Sequence, residues 1–231
     1  DVPCKAALAA LQEGLMSDSR KVSAVLLISG SGTTMENLLQ RAQDGTCRLQ
    51  PVGVIASKEG VPGIARAQKF NVPVQVVPRT DFTDAAAFSR QVFKLIAAVR
   101  PDVGLLAGFL RYLHLPDKYK GKVLNIHPSL LPRFGGKGMY GIKVHKAVLR
   151  AGEKESGCTV HYVDEVYDRG PIILQRKVPV LPDDTPESLQ ARVQEAEREA
   201  YPEAINLYAE KRLLQVAHSV RILPVKAGAE A

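Results

Sequence analysis

Little in this 231-residue chain could cross-link it. Its three cysteines, Cys4, Cys47 and Cys158, are scattered and include no Cys-x-x-Cys pair. An odd, dispersed set argues against a disulfide framework and against a zinc centre, so no metal site is expected and a reducing compartment is. Also missing is any apolar run near the roughly 18–20 residues that a bilayer-spanning helix needs, so a soluble protein with no membrane partner is expected. No long low-complexity tract interrupts a composition of 45% hydrophobic and 24% charged residues, that of a globular chain able to bury a core. Negative charge is in deficit: the formal net charge is +7 and the pI near 9.3. The Lys and Arg residues form no run, however, and no nucleic-acid module is recognisable. A basic surface of this kind favours small anionic ligands such as phosphates and polyglutamates over nucleic acid.

What is present alternates. Val22 to Ile28 is a near-continuous aliphatic run, the pattern of a strand buried on both faces of a parallel sheet. It ends in Ser29-Gly30-Ser31-Gly32-Thr33-Thr34 and then a helical pattern through Leu38, Leu39 and Ala42. A strand, a Gly-rich turn and a helix form the arrangement in which backbone N–H groups cradle a phosphate. Met35 stands where a third Gly would complete a dinucleotide fingerprint, no acid ends the next strand, and no Gly-Lys-Ser/Thr follows. A monophosphate-bearing ligand is therefore favoured over NAD or ATP, with a turn chosen only for tight packing as the competing reading. Further strands are expected at 52–56, 74–77, 103–107 and 122–124, with helices at 62–70 and 85–99 between them. The expected fold is α/β: a Rossmann-like, mostly parallel sheet with helices on both faces, its strand C-termini lined along one ligand-binding edge.

The fifth strand runs into Asn125-Ile126-His127-Pro128-Ser129-Leu130-Leu131-Pro132. Two residues apart on a strand, Asn125 and His127 share a face, and Pro128 stops the strand behind them. An amide and an imidazole held side by side suit hydrogen bonding to an oxygen that turns negative when a carbonyl is attacked. An isolated Asn-x-His would be read as a polar turn, and Ser129 is read as a turn residue. After the Gly-rich loop at 134–142 a helix carries His145, taken as a surface residue. The segment 157–163 alternates like a strand with one wet face, and 172–180 pairs with it antiparallel. His161 divides evenly between lining the cleft and a structural role. Thr185-Pro186-Glu187-Ser188 starts a long helix to about Tyr208, with a possible break at Tyr201-Pro202. The chain begins without Met: residues 1–20 form an extension, a targeting remnant or sequence upstream of Met16, with a short helix over Cys4–Leu15. The tail, 215–231, is expected to be poorly ordered at its end.

Four stretches together resemble the glycinamide ribonucleotide formyltransferase family, within the wider folate formyltransferases. They are Ile28–Thr34, Leu106–Arg111, Asn125–Pro132 and Tyr167–Pro171, in the family's order along residues 21–214. The resemblance implies a formyltransferase domain over 21–214, with a ribonucleotide half (21–120) and a catalytic and folate half (121–214). It implies 10-formyltetrahydrofolate as co-substrate, glycinamide ribonucleotide as acceptor, a monomer or homodimer, and the cytoplasm or plastid stroma. Asn125, His127 and Asp168 match its catalytic trio. Gly32, Thr33 and Thr34 match its phosphate contacts, and Gln194 and Glu197 its sugar and amine contacts. Leu110, Arg111, Tyr112 and Leu113 match its folate pocket, with Val163, Asp164 and the loop to Asp168 closing over the pterin. Two departures stand out. The 134–142 loop is longer than in many relatives, as in plastid enzymes, and at 79–85 only Arg79 is on hand to replace a basic phosphate contact. Rival readings are a deformylase, a sugar-nucleotide or initiator-tRNA formyltransferase, and a non-catalytic phosphate-binding module. The extra domains of the deformylase and the tRNA enzyme are not expected in a chain of this length.

Overall fold

The computed structural model describes residues 20–225, so the helix expected over Cys4–Leu15, the targeting remnant and the end of the tail lie outside the described residues. Seven strands form one sheet in the order β3-β2-β1-β4-β5-β6-β7. They are β1 (Val22–Ile28), β2 (Leu49–Ala56), β3 (Val74–Val76), β4 (Val103–Leu106), β5 (Val123–His127), β6 (Glu155–Tyr162) and β7 (Ile172–Pro179). The first five run parallel, while β6 pairs antiparallel with both β5 and β7. The expected antiparallel pair therefore continues the main sheet. β1 lies between β2 and β4, so successive crossovers leave it in opposite directions and the sheet's switch point falls between the β1 and β4 ends.

Helices cover both faces because the central strands β1 and β4 are apolar and buried on both. On one face α1 (Thr33–Gln43), α2 (Pro62–Lys69), α4 (Ile142–Arg150) and α5 (Pro186–Ala209) bury Leu26, Leu38, Leu124, Val144, Val193 and Tyr201 in one cluster. On the other, α3 (Ala85–Val99) packs Phe88, Val92 and Ile96 on Val25 and Leu27. No helix among the described residues is long and apolar enough to cross a membrane.

Three expectations are corrected. Helix α5 runs through Pro202 without a break. Proline removes one backbone donor and frees the carbonyl of residue 198, and Asn37 on α1 donates its side-chain N–H to that carbonyl at 3.1 Å. Tyr201 then sits fully buried, its hydroxyl 3.1 Å from the carbonyls of both Leu106 and Leu124, tying α5 to β4 and β5. β6 has no wet face, since Ser156 to Tyr162 are all buried. On its polar side Thr159 is covered by the chain that follows β5, while His161 meets Asn125 on β5 and lines a cavity. The Thr159 hydroxyl donates to the Ser129 carbonyl (2.6 Å) and accepts from the Leu131 N–H (3.0 Å), and the Leu131–Pro132 peptide is cis. Finally, the tail expected from residue 215 begins inside a hairpin of β8 (Leu213–Val216) and β9 (Ser219–Ile222).

Candidate active site

A cavity of about 620 Å³ opens at the switch point. One wall is the turn after β1. Gly32 precedes α1 with φ +73°, and a β-carbon there would come within 2.7 Å of the Gly63 Cα at the start of α2. Only glycine meets both demands, and the turn is thereby pressed against α2. No side chain caps α1, so the N–H groups of its first turn, at Thr33 and Thr34, stand without a capping partner on the cavity wall. Ser29 joins this turn to the end of β4. Its N–H donates to the Gly108 carbonyl (3.2 Å), and its hydroxyl accepts from the Leu110 N–H (2.9 Å).

The floor comes from β5 and β6. In the antiparallel register Asn125 lies opposite His161 and His127 opposite Thr159, so four polar side chains share one face. His161 Nδ1 is 2.8 Å from the Tyr162 carbonyl, an acceptor only, so Nδ1 carries the proton and Nε2 accepts. The Asn125 amide donates to that Nε2 at 3.1 Å, which fixes the amide's orientation and leaves its second N–H unused. Burial lowers the pKa of His161, in keeping with a neutral ring. His127, also buried, donates from Nε2 to the Phe134 carbonyl at 2.9 Å and turns Nδ1 toward Asp168 Oδ2, 3.5 Å away.

Asp168 arrives on the β6–β7 loop with φ +57°, in the left-handed region that Asp tolerates better than most residues. Its Oδ2 accepts from the Gly136 N–H at 2.8 Å, and its Oδ1 lies 3.7 Å from His161 Nε2. A β-carbon on Gly135 would stand 2.5 Å from the tip of the Leu131 side chain and 3.1 Å from the Asp168 Cβ, so the Gly-rich loop packs tightly against this carboxylate. Asn125, His127 and Asp168 thus come together, from segments far apart in the chain.

The rest of the cavity is completed by three segments. After β4, Leu110, Arg111, Tyr112 and Leu113 line it, Leu113 buried and Leu110 and Arg111 exposed. Tyr112 donates its hydroxyl to the Glu165 carbonyl (2.7 Å) and packs on the Tyr167 ring at 5.2 Å, joining this segment to the one that carries Val163 and Asp164. From α5 come Gln194 and Glu197, and desolvation pushes the Glu197 carboxyl up to about 7.

The match to a family model described as "Formyl transferase" spans residues 22–205, nearly the whole of the folded chain. The chain belongs to the formyl transferase family. It is 35% identical over 204 residues to the chloroplastic phosphoribosylglycinamide formyltransferase of Arabidopsis thaliana, covering 87% of this chain and 70% of that one. It is 42% identical over 205 residues to the trifunctional purine biosynthetic protein adenosine-3 of Drosophila melanogaster, covering 87% of this chain but only 15% of that larger protein. Among solved structures, glycinamide ribonucleotide transformylase 1 from Symbiobacterium toebii superposes with a TM-score of 0.83 at 36% identity, over 89% of this chain and 95% of that one.

Within this formyl transferase fold, two expected placements do not hold. Arg79 is not part of the cavity: it donates to the Phe82 carbonyl at 2.6 Å and lies over the Phe88 ring. His145 is not on the surface: it is 1% exposed, lines the cavity, and is lowered to about 4 by burial and by His127 nearby. Two contributors were not singled out from sequence, the Gly136 N–H and the hydroxyl of Ser29. His161, read evenly as lining the cleft or structural, does both, lining the cavity and orienting Asn125. Both described cysteines, Cys47 and Cys158, are buried with thiols pushed up to about 12, which keeps them protonated and unreactive. Ser129 spends its hydroxyl on the Arg133 carbonyl.

Proposed function

We propose that this chain transfers the formyl group of 10-formyltetrahydrofolate to the primary amine of glycinamide ribonucleotide, a step of de novo purine biosynthesis. One observation carries the reading. The Asn125, His127 and Asp168 side chains gather on the floor of a cavity whose wall is an uncapped helix N-terminus suited to a phosphate. A phosphate-binding module without catalysis would use the turn after β1 and leave the polar floor unexplained.

In this mechanism the phosphate rests on Gly32, Thr33 and Thr34, and Gln194 and Glu197 meet the sugar and amine end. The folate enters between the Leu110–Leu113 segment and Val163–Asp164. The amine lone pair forms a bond to the formyl carbon while the carbonyl pair moves onto oxygen. The second Asn125 N–H donates to that oxyanion; one such donor is worth about 2.7–4 kcal/mol in the transition state. His127 Nε2 is committed to the Phe134 carbonyl, so its Nδ1 edge, between Asp168 and the cavity, faces the reaction. Asp168, its Oδ2 3.5 Å from Nδ1, orients that edge. It relays a proton, directly or through water, from the attacking nitrogen to N10, which leaves as the C–N10 bond breaks. No covalent enzyme intermediate is needed.

The test is to mix the protein with 10-formyltetrahydrofolate and follow the absorbance change with glycinamide ribonucleotide, a formyl-accepting sugar nucleotide, initiator tRNA or water as acceptor. Turnover with the ribonucleotide is expected. Formate release without an acceptor, or preference for another amine, would replace this reading with one of its rivals.

A further inference from the structure

His145 is the one imidazole of the cavity to which the mechanism gives no task. It sits on the buried face of α4 between Val144 and Val148, and its Nδ1 is sealed from solvent without a hydrogen-bond partner. A proton on Nδ1 would be an orphaned buried donor, which folded chains avoid more strictly than an orphaned acceptor. The favoured tautomer therefore carries its proton on Nε2, the ring nitrogen not sealed off, on a residue that lines the cavity. The low pKa, about 4, agrees with a neutral ring that donates one hydrogen bond and brings no charge.

The geometry points to His145 as a specificity-determining residue whose Nε2–H binds the amide carbonyl oxygen of the formyl acceptor. A neutral donor fits a neutral carbonyl, whereas the phosphate already has the uncapped turn of α1. His145 lines the same cavity as Asn125, His127 and Asp168, the reacting end in the proposed mechanism. In glycinamide the carbonyl adjoins the carbon that bears the attacking nitrogen, so its oxygen must lie in that part of the cavity. A site with such a donor would discriminate against amines that have no carbonyl there. The inference rests on the proposed function and adds to it the feature of the acceptor that is read.

The test measures KM for both substrates in the wild type and in His145→Leu, which lacks a donor, and His145→Gln, which restores one. The acceptors are glycinamide ribonucleotide and its analogue with the amide carbonyl reduced to a methylene. His145→Leu is expected to raise KM for the ribonucleotide about tenfold, the scale of one unmade hydrogen bond, and to leave KM for the folate unchanged. His145→Gln should recover most of that loss, and the analogue should bind equally to all three proteins. An unchanged KM for the ribonucleotide, or an equal loss with both acceptors, would overturn the inference alone. Should His145→Leu fail to fold, the analogue decides in His145→Gln and the wild type: no preference for the carbonyl in either overturns it. Absence of wild-type turnover with the ribonucleotide would instead overturn the function beneath it.

Discussion

Asn125 and His161 form a pair whose two members should fail in different ways. Asn125 holds one amide N–H on His161 Nε2 at 3.1 Å and offers the other to the cavity. Under the proposed mechanism Asn125→Ala removes an oxyanion donor outright, and about 2.7–4 kcal/mol corresponds to a fall of roughly 10²–10³ in kcat. His161→Leu leaves that donor in place and removes only what orients it. One neutral hydrogen bond is worth about 1 kcal/mol net, which changes the balance between the two amide orientations roughly fivefold. The loss in kcat should therefore stay below about tenfold. Because His161 acts through Asn125, the double variant should be no slower than Asn125→Ala, a strongly non-additive cycle. The measurement is steady-state turnover of 10-formyltetrahydrofolate with glycinamide ribonucleotide at saturation, alongside thermal melts to show that all three variants are folded. If His161→Leu is as slow as Asn125→Ala, or if the two losses multiply, His161 touches the reaction itself and the orienting role is refuted.

Three further outcomes follow from distances and burial. Asp168→Asn, which keeps the shape and loses the charge facing His127 Nδ1, should lower kcat about 10²–10⁴-fold with little change in KM for the folate, as read by the same absorbance assay. Tyr201→Phe leaves the Leu106 and Leu124 carbonyls without the hydroxyl between them and should cost about 1–3 kcal/mol in a denaturant melt. Glu197 is raised from 4.5 to about 7, so between those values the native state keeps a proton that the unfolded chain has lost. Stability should fall as pH rises through this window, and Glu197→Gln should abolish that fall, giving a higher Tm than wild type at pH 8 but not at pH 5. His145, lowered from 6.5 to about 4, works in the opposite sense. Its contribution is lost as pH drops from 6.5 toward 4, and removing Glu197 should expose that acid slope.

The alternation of aliphatic runs with helical patterns made the parallel part of the fold legible, because strands buried on both faces leave a continuous apolar trace. The pairing of Asn125 with His127 was equally readable, since it depends on the two-residue repeat alone. What escaped depends on contacts between distant segments. Pro202 looks like a helix breaker until Asn37, 165 positions earlier, supplies the donor to the carbonyl it frees. His145 stands beside Lys146, and nothing in that neighbourhood reveals that the helix turns the imidazole inward and the lysine outward. Thr159 falls on the side of 157–163 that reads as wet because its cover, the chain from Ser129 to Leu131, lies far away in sequence and binds through backbone groups. Arg79 is basic in the right general region, yet its guanidinium is taken by a carbonyl three residues on.

The alternation along β6 has a consequence for errors in folding. Cys158, Val160 and Tyr162 enter the main core, and Thr159 and His161 in between meet Ser129, Leu131 and Asn125. Sliding β6 by a single residue would send the oily set into the chemistry and the polar set into the oil. The penalty for misalignment is thus paid by the whole interior, long before any substrate arrives. A molecule that has buried its apolar side chains correctly has, by the same stroke, set its amide at the right angle.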